Sequence, residues 1–378
     1  MKKIILLLCC FAALALICGA GFFYFHNSDS ADNSSEIPAE TSGEISEEPK
    51  DEIHTLSFIA AGDALIHDTV YKDAYNKADG TYDFRHQLEL IKPIVSKYDL
   101  AFYNQETIFA GKEIGYSNYP TFNTPSEFGD AMLDAGFNIV ALANNHSFDK
   151  GEKGILNALS YWKSRDVLYS GMNDSFEAQD KIEIRTKNNI SYALLSYTTL
   201  NNGLPTPKDK EYLVNYYSEE RAKKDVEAIR DKVDVVIVSM HWGVEYSQKV
   251  SAEQTKAAEF LADLGVDIIC GHHPHVLQPI TKIKDTVVIY SMGNFISAQA
   301  GVEKLTGAMV SLNVTKTNGV ISIDTPEAQL IYTYSERSAK YKLIPYADLD
   351  ENHLKNHRQE FEEQKNIITA LDNSIIVR

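Results

Sequence analysis

From His54 onward the chain alternates short apolar runs with helix-period segments, and most of the runs end in histidine, carboxamide or carboxylate residues. Apolar stretches of this length are expected as strands at Leu56–Ala61, Leu100–Tyr103, Ile139–Ala143, Tyr192–Tyr197, Val233–Met240, Val266–Cys270 and Thr286–Tyr290. Helix signals fall between them. Thr124-Pro125-Ser126-Glu127 reads as a capping box with proline at the first helical position, and Gly136 stands where that helix stops. Ser251-Ala252-Glu253-Gln254 opens another helix that Gly265 ends, and Ser218 caps a charged helix running to about Asp231. Such alternation predicts an α/β domain. After Gly307 the pattern becomes strand-like at Ala308–Val314, Val320–Ile323 and Gln329–Tyr334, as expected of an antiparallel portion. From Asp348 the chain is polar and expected to be helical.

The N-terminus is of a different kind. Lys2-Lys3 precede an uncharged apolar run of 22 residues, Ile4–Phe25, long enough to span a bilayer with its N-terminal end in the cytoplasm. A cleaved signal peptide has a shorter apolar region, so the run reads as a retained anchor, with cleavage after Ala20 as the alternative. Residues 26–52 hold nine acids, one lysine and almost no large apolar side chain, which predicts a disordered, self-repelling stalk. That stretch supplies −8 of the formal net charge of −17, so the domain itself is only moderately acidic. Lack of a basic face argues against a nucleic-acid partner. It leaves room for an anionic substrate, because bound divalent metals reverse the local field. Cys9, Cys10 and Cys18 lie in the apolar run, leaving Cys270 alone as a buried, inert thiol. The expected organisation is an anchor over 1–25, a linker over 26–53, a domain over 54–335 and a polar, helical extension over 336–378.

The chemistry sits where the apolar runs end. The first run leads to Gly62-Asp63 with His67 beyond, the second to Asn104-Gln105-Glu106, and the third to Asn144-Asn145-His146 with Asp149 three residues on. Later runs lead to His241-Trp242-Gly243, to Gly271-His272-His273-Pro274-His275 and to Ser291-Met292-Gly293-Asn294-Phe295. In open α/β sheets ligands bind at the carboxyl ends of strands, and six of the eleven histidines fall there. Carboxylate, imidazole and amide oxygen together suit Mn, Fe or Zn, and the absence of cysteine ligands argues against a structural zinc site. Two divalent ions are expected, with Glu106 able to bridge them.

Spacing suggests individual roles. His273 and His275 are alternate residues of an extended segment, expected to point the same way, with His272 pointing away as a supporting or substrate-contacting group. His67, four residues after Asp63, is read as a ligand, a supporting donor or a substrate contact. Asp149 orients His146 through its other ring nitrogen or caps the helix beginning near Lys150. Ser291 and Asn294 are read as substrate contacts, with a turn role as the alternative. His54, His86, His353 and His357 lie in polar surroundings and read as surface residues. No Gly-x-x-x-x-Gly-Lys-Ser/Thr loop is present, which argues against an ATP-using chain, and no Gly-x-Ser-x-Gly elbow marks a serine hydrolase.

Taken in order, six blocks resemble the CapA family of poly-γ-glutamate capsule biosynthesis proteins over about residues 55–300. They are Ala60-Ala61-Gly62-Asp63, Asn104-Gln105-Glu106-Thr107, the run Ala143 to Gly151 that contains Asn145-His146, His241-Trp242-Gly243, Gly271 to Val276, and Ser291 to Phe295. That family in turn resembles the calcineurin-like metallophosphoesterases. The resemblance implies a four-layer α/β/β/α sandwich, preceded here by a single transmembrane helix and the disordered stalk. It also implies a dinuclear site held by Asp63, Glu106, Asn145, His241, His273 and His275, to which His67 is added as a candidate. His146 matches the position of the acid that protonates the leaving group, with Asp149 beside it. Two positions depart from the superfamily pattern. Asp63-Ala64-Leu65 replaces Asp-x-His, with His67 displaced, and Glu106 replaces the usual bridging aspartate.

The leading expectation is a single-pass cell-membrane protein whose domain lies outside the cytoplasm. It acts on, transfers or exports poly-γ-glutamate or a related anionic polymer, beside a membrane-bound ATP-dependent ligase. The alternatives are an extracytoplasmic phosphoesterase, and a module that uses the metal site to hold polymer without turnover.

Overall fold

The computed structural model describes residues 51–378. The expected anchor over 1–25 and nearly all of the expected linker lie outside them. Among the described residues no helix is long and apolar enough to cross a membrane.

The first stretch of chain builds β1 (Ile53–Ala64), β2 (Leu100–Gln105), α1 (Glu127–Asp134), β3 (Ile139–Ala141), α2 (Gly151–Lys163) and β4 (Leu168–Ser170). The middle stretch builds β5 (Ile184–Lys187), β6 (Ile190–Thr198), α3 (Glu219–Ile229), β7 (Val235–His241), α4 (Ala252–Asp263), β8 (Ile268–His272), β9 (Ile280–Ile283) and β10 (Thr286–Ile289). The chain then returns through β11 (Asn294–Ile296), β12 (Thr306–Thr317), β13 (Val320–Ile323), β14 (Glu327–Glu336), β15 (Ala339–Pro345) and α5 (His357–Ile368). First and last stretches share one sheet, ordered β15-β14-β12-β1-β2-β3-β4, parallel from β1 to β4 and antiparallel from β1 outward through β12. The middle stretch forms a second sheet, ordered β9-β10-β8-β7-β6-β5 and parallel from β10 to β6.

Period-two alternation decides which face each side chain covers. Leu56, Phe58 and Ala60 of β1 share one buried cluster with Leu194, Ile237 and Ile268 of the second sheet. Their neighbours Ile59 and Ala61 pack instead with Phe128 and Met132 of α1 and Ile155 and Trp162 of α2. On the far side, Val236, Val238 and Met240 of β7 pack with Ala222 and Val226 of α3 and Ala258 and Leu261 of α4. Both faces of the central strands are therefore buried, as their unbroken apolar runs require. The layers run helix, sheet, sheet, helix, and each fully buried Leu, Ile or Phe contributes about 1.5–3 kcal/mol to holding them together.

Local signals set most helix ends. The Ser251 hydroxyl accepts the Gln254 N–H at 3.2 Å while Gln254 Oε1 accepts the Ser251 N–H at 3.0 Å, completing the capping box of α4. The Ser218 hydroxyl likewise accepts the Arg221 N–H at the start of α3. At α1 the expected box does not form: the helix begins at Glu127 after Ser126, with no side-chain cap. The Thr124 hydroxyl donates instead to Thr107 Oγ1 at 2.8 Å. This bond ties down the residue that follows Glu106. Residues 336–378, expected as a polar helical extension, do contain α5 but also add β15 to the first sheet. Leu349, Leu354, Ile368 and Ile375 of this segment are buried in the cluster between the sheets.

Strand register then assembles the polar ends. Asp63 of β1 is paired with Asn104 of β2 on one side and with Asn294 of β11 on the other. His241 of β7 is paired with His272 of β8 and with Thr198 of β6. The carboxyl ends of both sheets meet at one place.

Candidate metal centre

Asp63 has no solvent exposure and four close neighbours. Its Oδ1 accepts from Asn104 Nδ2 at 2.8 Å and lies 3.0 Å from His272 Nδ1; its Oδ2 accepts the His273 backbone N–H at 3.1 Å and lies 3.3 Å from His275 Nδ1. Burial pushes this carboxyl up, but the hydrogen bonds from His272 and His275 outweigh it and hold Asp63 well below the usual carboxylate range. Two glycines make room for the loops that meet here. A Cβ on Gly62 would stand 2.0 Å from the Gly293 carbonyl oxygen, and one on Gly271 would stand 2.0 Å from that of Tyr290.

Glu106 is the centre of the cluster. It is fully buried, and neither carboxylate oxygen has a hydrogen-bond donor. His275 Nε2 lies 3.5 Å and His241 Nε2 3.7 Å from its Oε1. Burial drives its carboxyl well above the ordinary range, reinforced by the Asp63 charge and opposed by His275. Glu106, His273 and His275 each bring a ligand atom within 4.8 Å of the others. Burial also depresses His241 well below its usual value and holds His273 down at about 3. His275 moves the other way: burial lowers it, but the Glu106 and Asp63 carboxylates lift it to about 9.

The histidines converge by a route the sequence pattern does not suggest. His273 and His275 are not alternate members of an extended segment; both have left-handed backbone, with φ of 95° and 57°. A turn, rather than strand alternation, brings their rings to 5.9 Å between centroids. Left-handed backbone is costly for residues with a Cβ, and persists where surrounding contacts over-determine it. The Asp63 carboxylate supplies one such contact through the His273 N–H. Asn294 supplies support for the other: its Oδ1 lies 3.0 Å from His275 Nδ1, while its Nδ2 donates to Lys304 O and Gln299 Oε1. This amide orientation leaves His275 Nδ1 as the donor and turns Nε2 toward Glu106.

Asn145 and His146 enter from the loop after β3. Asn145 Oδ1 accepts from His241 Nε2 at 2.9 Å. His146 Nδ1 lies 2.8 Å from Asp149 Oδ2, which also accepts the Phe122 N–H at 2.6 Å. The Phe122 ring stands edge-on to His146, with centroids 4.8 Å apart. Held at Nδ1, the imidazole keeps Nε2 available for proton transfer.

The donor set suits a divalent cation. Besides the two Glu106 oxygens, His273 Nδ1, from the same convergent group of Glu106, His273 and His275, is buried without a partner. Buried polar atoms are otherwise nearly always hydrogen-bonded, so their concentration at one point marks a place built to take up positive charge. Residues Asp63, Glu106, Asn145, His241, His273 and His275 are those that could hold it.

Residues 57–299 match the family described as bacterial capsule synthesis protein PGA_cap. The chain belongs to this family. Over 279 residues it is 29% identical to the capsule biosynthesis protein CapA of Bacillus anthracis, covering 71% of this chain and 66% of that protein. Over 221 residues it is 33% identical to the PGA biosynthesis protein CapA of Bacillus subtilis, covering 54% of this chain and 55% of that protein. The chain thus spans just under two thirds and just over half the length of these relatives. In three dimensions it resembles a novel phosphatase from Mycoplasma pneumoniae, with a TM-score of 0.50 and 14% identity over 76% of this chain and 97% of that one. That likeness concerns the fold.

The remaining residues expected at the site take varied places. His67 precedes the short helix Asp68–Asp73; its Nδ1 lies 3.0 Å from Leu65 O and accepts the Ala298 N–H at 3.2 Å. Burial holds its pKa down at about 4. It does not join the three residues whose ligand atoms converge. His272 is turned onto Asp63. Ser291 is buried and donates to Val276 O at 2.7 Å while accepting the Gly293 N–H, and so shapes the turn. Asn294 supports His275 from the side away from Glu106. Four neighbours of the site had no assigned role in the sequence: Asn104, Phe122, Asn202, whose Oδ1 accepts from Asn145 Nδ2 at 3.2 Å, and Tyr246, whose ring centroid lies 6.2 Å from that of His275. Asn104 sits in a recognised strand-end block. Asn202-Gly203 reads only as a turn, and Phe122 and Tyr246 carry no local signal.

Proposed function

We propose that this PGA_cap protein is a membrane-anchored, extracytoplasmic protein of capsule or envelope-polymer biosynthesis, working on poly-γ-glutamate or a related anionic polymer through a two-metal hydrolase-type site. The carrying observation is Glu106: a fully buried carboxylate with no donor on either oxygen, facing His241 and His275. Asp63, Glu106, Asn145, His241, His273 and His275 would hold Mn, Fe or Zn. Divalent ions held there would supply the positive charge that polarises a carbonyl or phosphoryl oxygen. His146, oriented by Asp149, gives or takes the proton at its Nε2. Phe122, edge-on to His146, excludes water from that ring. Names of the relatives, and the moderate acidity of the domain, support an anionic polymer as substrate once metal charge is present. The apolar run Ile4–Phe25 supports the anchor, which would place the domain beside a membrane-bound ATP-dependent ligase.

A second reading is favoured by one observation, the His146–Asp149 pair. An imidazole so held suits protonation of an alkoxide leaving group, as in phosphoester hydrolysis. The two are separated by purifying the full chain, measuring its metal content and assaying p-nitrophenyl phosphoesters beside γ-glutamyl oligomers. Oligomer cleavage or transfer lost in Glu106→Gln and His241→Ala supports the first reading. Phosphoester turnover alone supports the second, and metal-dependent polymer retention without turnover reduces the protein to a binding module. A chain that takes up no divalent ion overturns the metal site.

A further inference from the structure

We infer that Asn202 is a positioning residue of this site, which sets the orientation of the Asn145 amide and braces His146; the inference rests on the metal reading above. The loop carrying it leaves β6 and is clamped at once to the end of β7: the Thr199 N–H and hydroxyl both donate to His241 O, at 3.0 and 3.3 Å. It then turns over Asn201–Leu204, with the Leu204 N–H bonded to Asn201 O at 2.7 Å and positive φ at both Asn202 (49°) and Gly203 (75°). Turn chemistry by itself asks only for Asn, Asp or Gly at position 202. The side chain does more than the turn needs. Asn202 Oδ1 accepts from Asn145 Nδ2 at 3.2 Å, across the boundary between the sheets. An amide whose nitrogen is held in this way must present its oxygen in the opposite direction. That oxygen faces His241 Nε2 at 2.9 Å. Asn202 Nδ2 meanwhile lies 3.5 Å from both ring nitrogens of His146. One residue of the loop after β6 thus bears on both functional residues of the loop after β3.

Three versions of the full chain test this: the parent, Asn202→Gly and Asn202→Asp. Glycine tolerates the left-handed backbone, so it keeps the turn and removes only the amide. Aspartate keeps the oxygen that holds Asn145 and removes the donor facing His146. With Co(II) as the probe, Asn202→Gly should bind at least about tenfold more weakly than the parent, with altered visible bands and an unchanged melting temperature. Asn202→Asp should keep the parent's bands, with affinity no more than about threefold weaker, and a changed spectrum there would overturn the inference. Parent-like affinity and spectrum in Asn202→Gly would make Asn202 a turn residue and nothing more. If the parent takes up no Co(II), the metal reading fails separately, and NMR exchange of the Asn145 side-chain amide protons decides. Faster exchange in Asn202→Gly upholds the inference, and unchanged exchange overturns it.

Discussion

Glu106 Oε1 stands 3.5 Å from His275 Nε2 in a fully buried setting, and neither oxygen of that carboxylate meets a donor. A charge so placed is unfavourable by itself and favourable beside a cation. Replacement by its neutral isostere should therefore move two quantities in opposite directions. Glu106→Gln is expected to weaken Mn(II) or Zn(II) binding by about 100-fold or more. In chelator-treated protein the same change is expected to raise stability by about 1 kcal/mol, because Glu106 must either bury a charge or hold a proton that the unfolded chain releases, and the amide does neither. Calorimetric titration and urea unfolding read the two effects. A fall in both would mean that Glu106 is a structural carboxylate.

Asp149 acts on His146 from 2.8 Å and also receives the Phe122 N–H. Asp149→Asn retains an oxygen for that N–H but weakens the hold on the histidine proton. Turnover of whichever substrate proves active should fall by about 10²–10⁴-fold, while bound metal per chain stays the same. Loss of metal in step with activity would place Asp149 among the groups that hold the ion.

Acid should destabilise the metal-free protein in a defined window. Burial holds His67 at about 4 and His273 at about 3, against an ordinary value of 6.5, and depresses His241 as well. Below about pH 6.5 the unfolded chain takes up protons at these residues that the folded chain refuses, so stability falls as pH drops. Glu106 opposes this, since its raised carboxyl keeps a proton that the unfolded chain releases, but three histidines outnumber it. His273→Gln should flatten the slope of unfolding free energy by about 1.4 kcal/mol per pH unit between about pH 6.5 and 4. Urea titrations at stepped pH measure it, and an unchanged slope would show that His273 titrates normally.

Gly271→Ala probes the close approach that lets the histidine turn form. Its new Cβ would stand 2.0 Å from Tyr290 O, a backbone atom with no freedom to move aside. A loss of about 3 kcal/mol or more is expected, by thermal melting, together with loss of metal affinity. Gly203→Ala, where a Cβ would meet nothing within 4 Å, should cost only about 1 kcal/mol, from its left-handed backbone. Equal costs at the two positions would show that close approach is not what position 271 requires.

The sequence by itself determined the layers and the address of the site. Apolar runs such as Leu56–Ala61 and Val233–Met240 are long enough, and apolar enough on both faces, to have no home except the centre of a covered sheet. Residues just beyond such a strand are carried to its carboxyl end whatever the loops do, so Asp63, Glu106, Asn145 and His241 were readable as neighbours from spacing alone. The capping box at Ser251 is equally local, and it forms. Tertiary structure decided the rest. The box expected at Thr124 does not form, and the Thr124 hydroxyl donates instead to Thr107, which lies in another segment of the chain. His273 and His275 converge through left-handed backbone, which no periodicity encodes, because the contacts that stabilise it come from Asp63 and Asn294. Asn202 offers a turn dipeptide in the sequence and an amide clamp in the structure. Register and loop closure bring such groups together, and both depend on contacts between segments that the chain order keeps far apart.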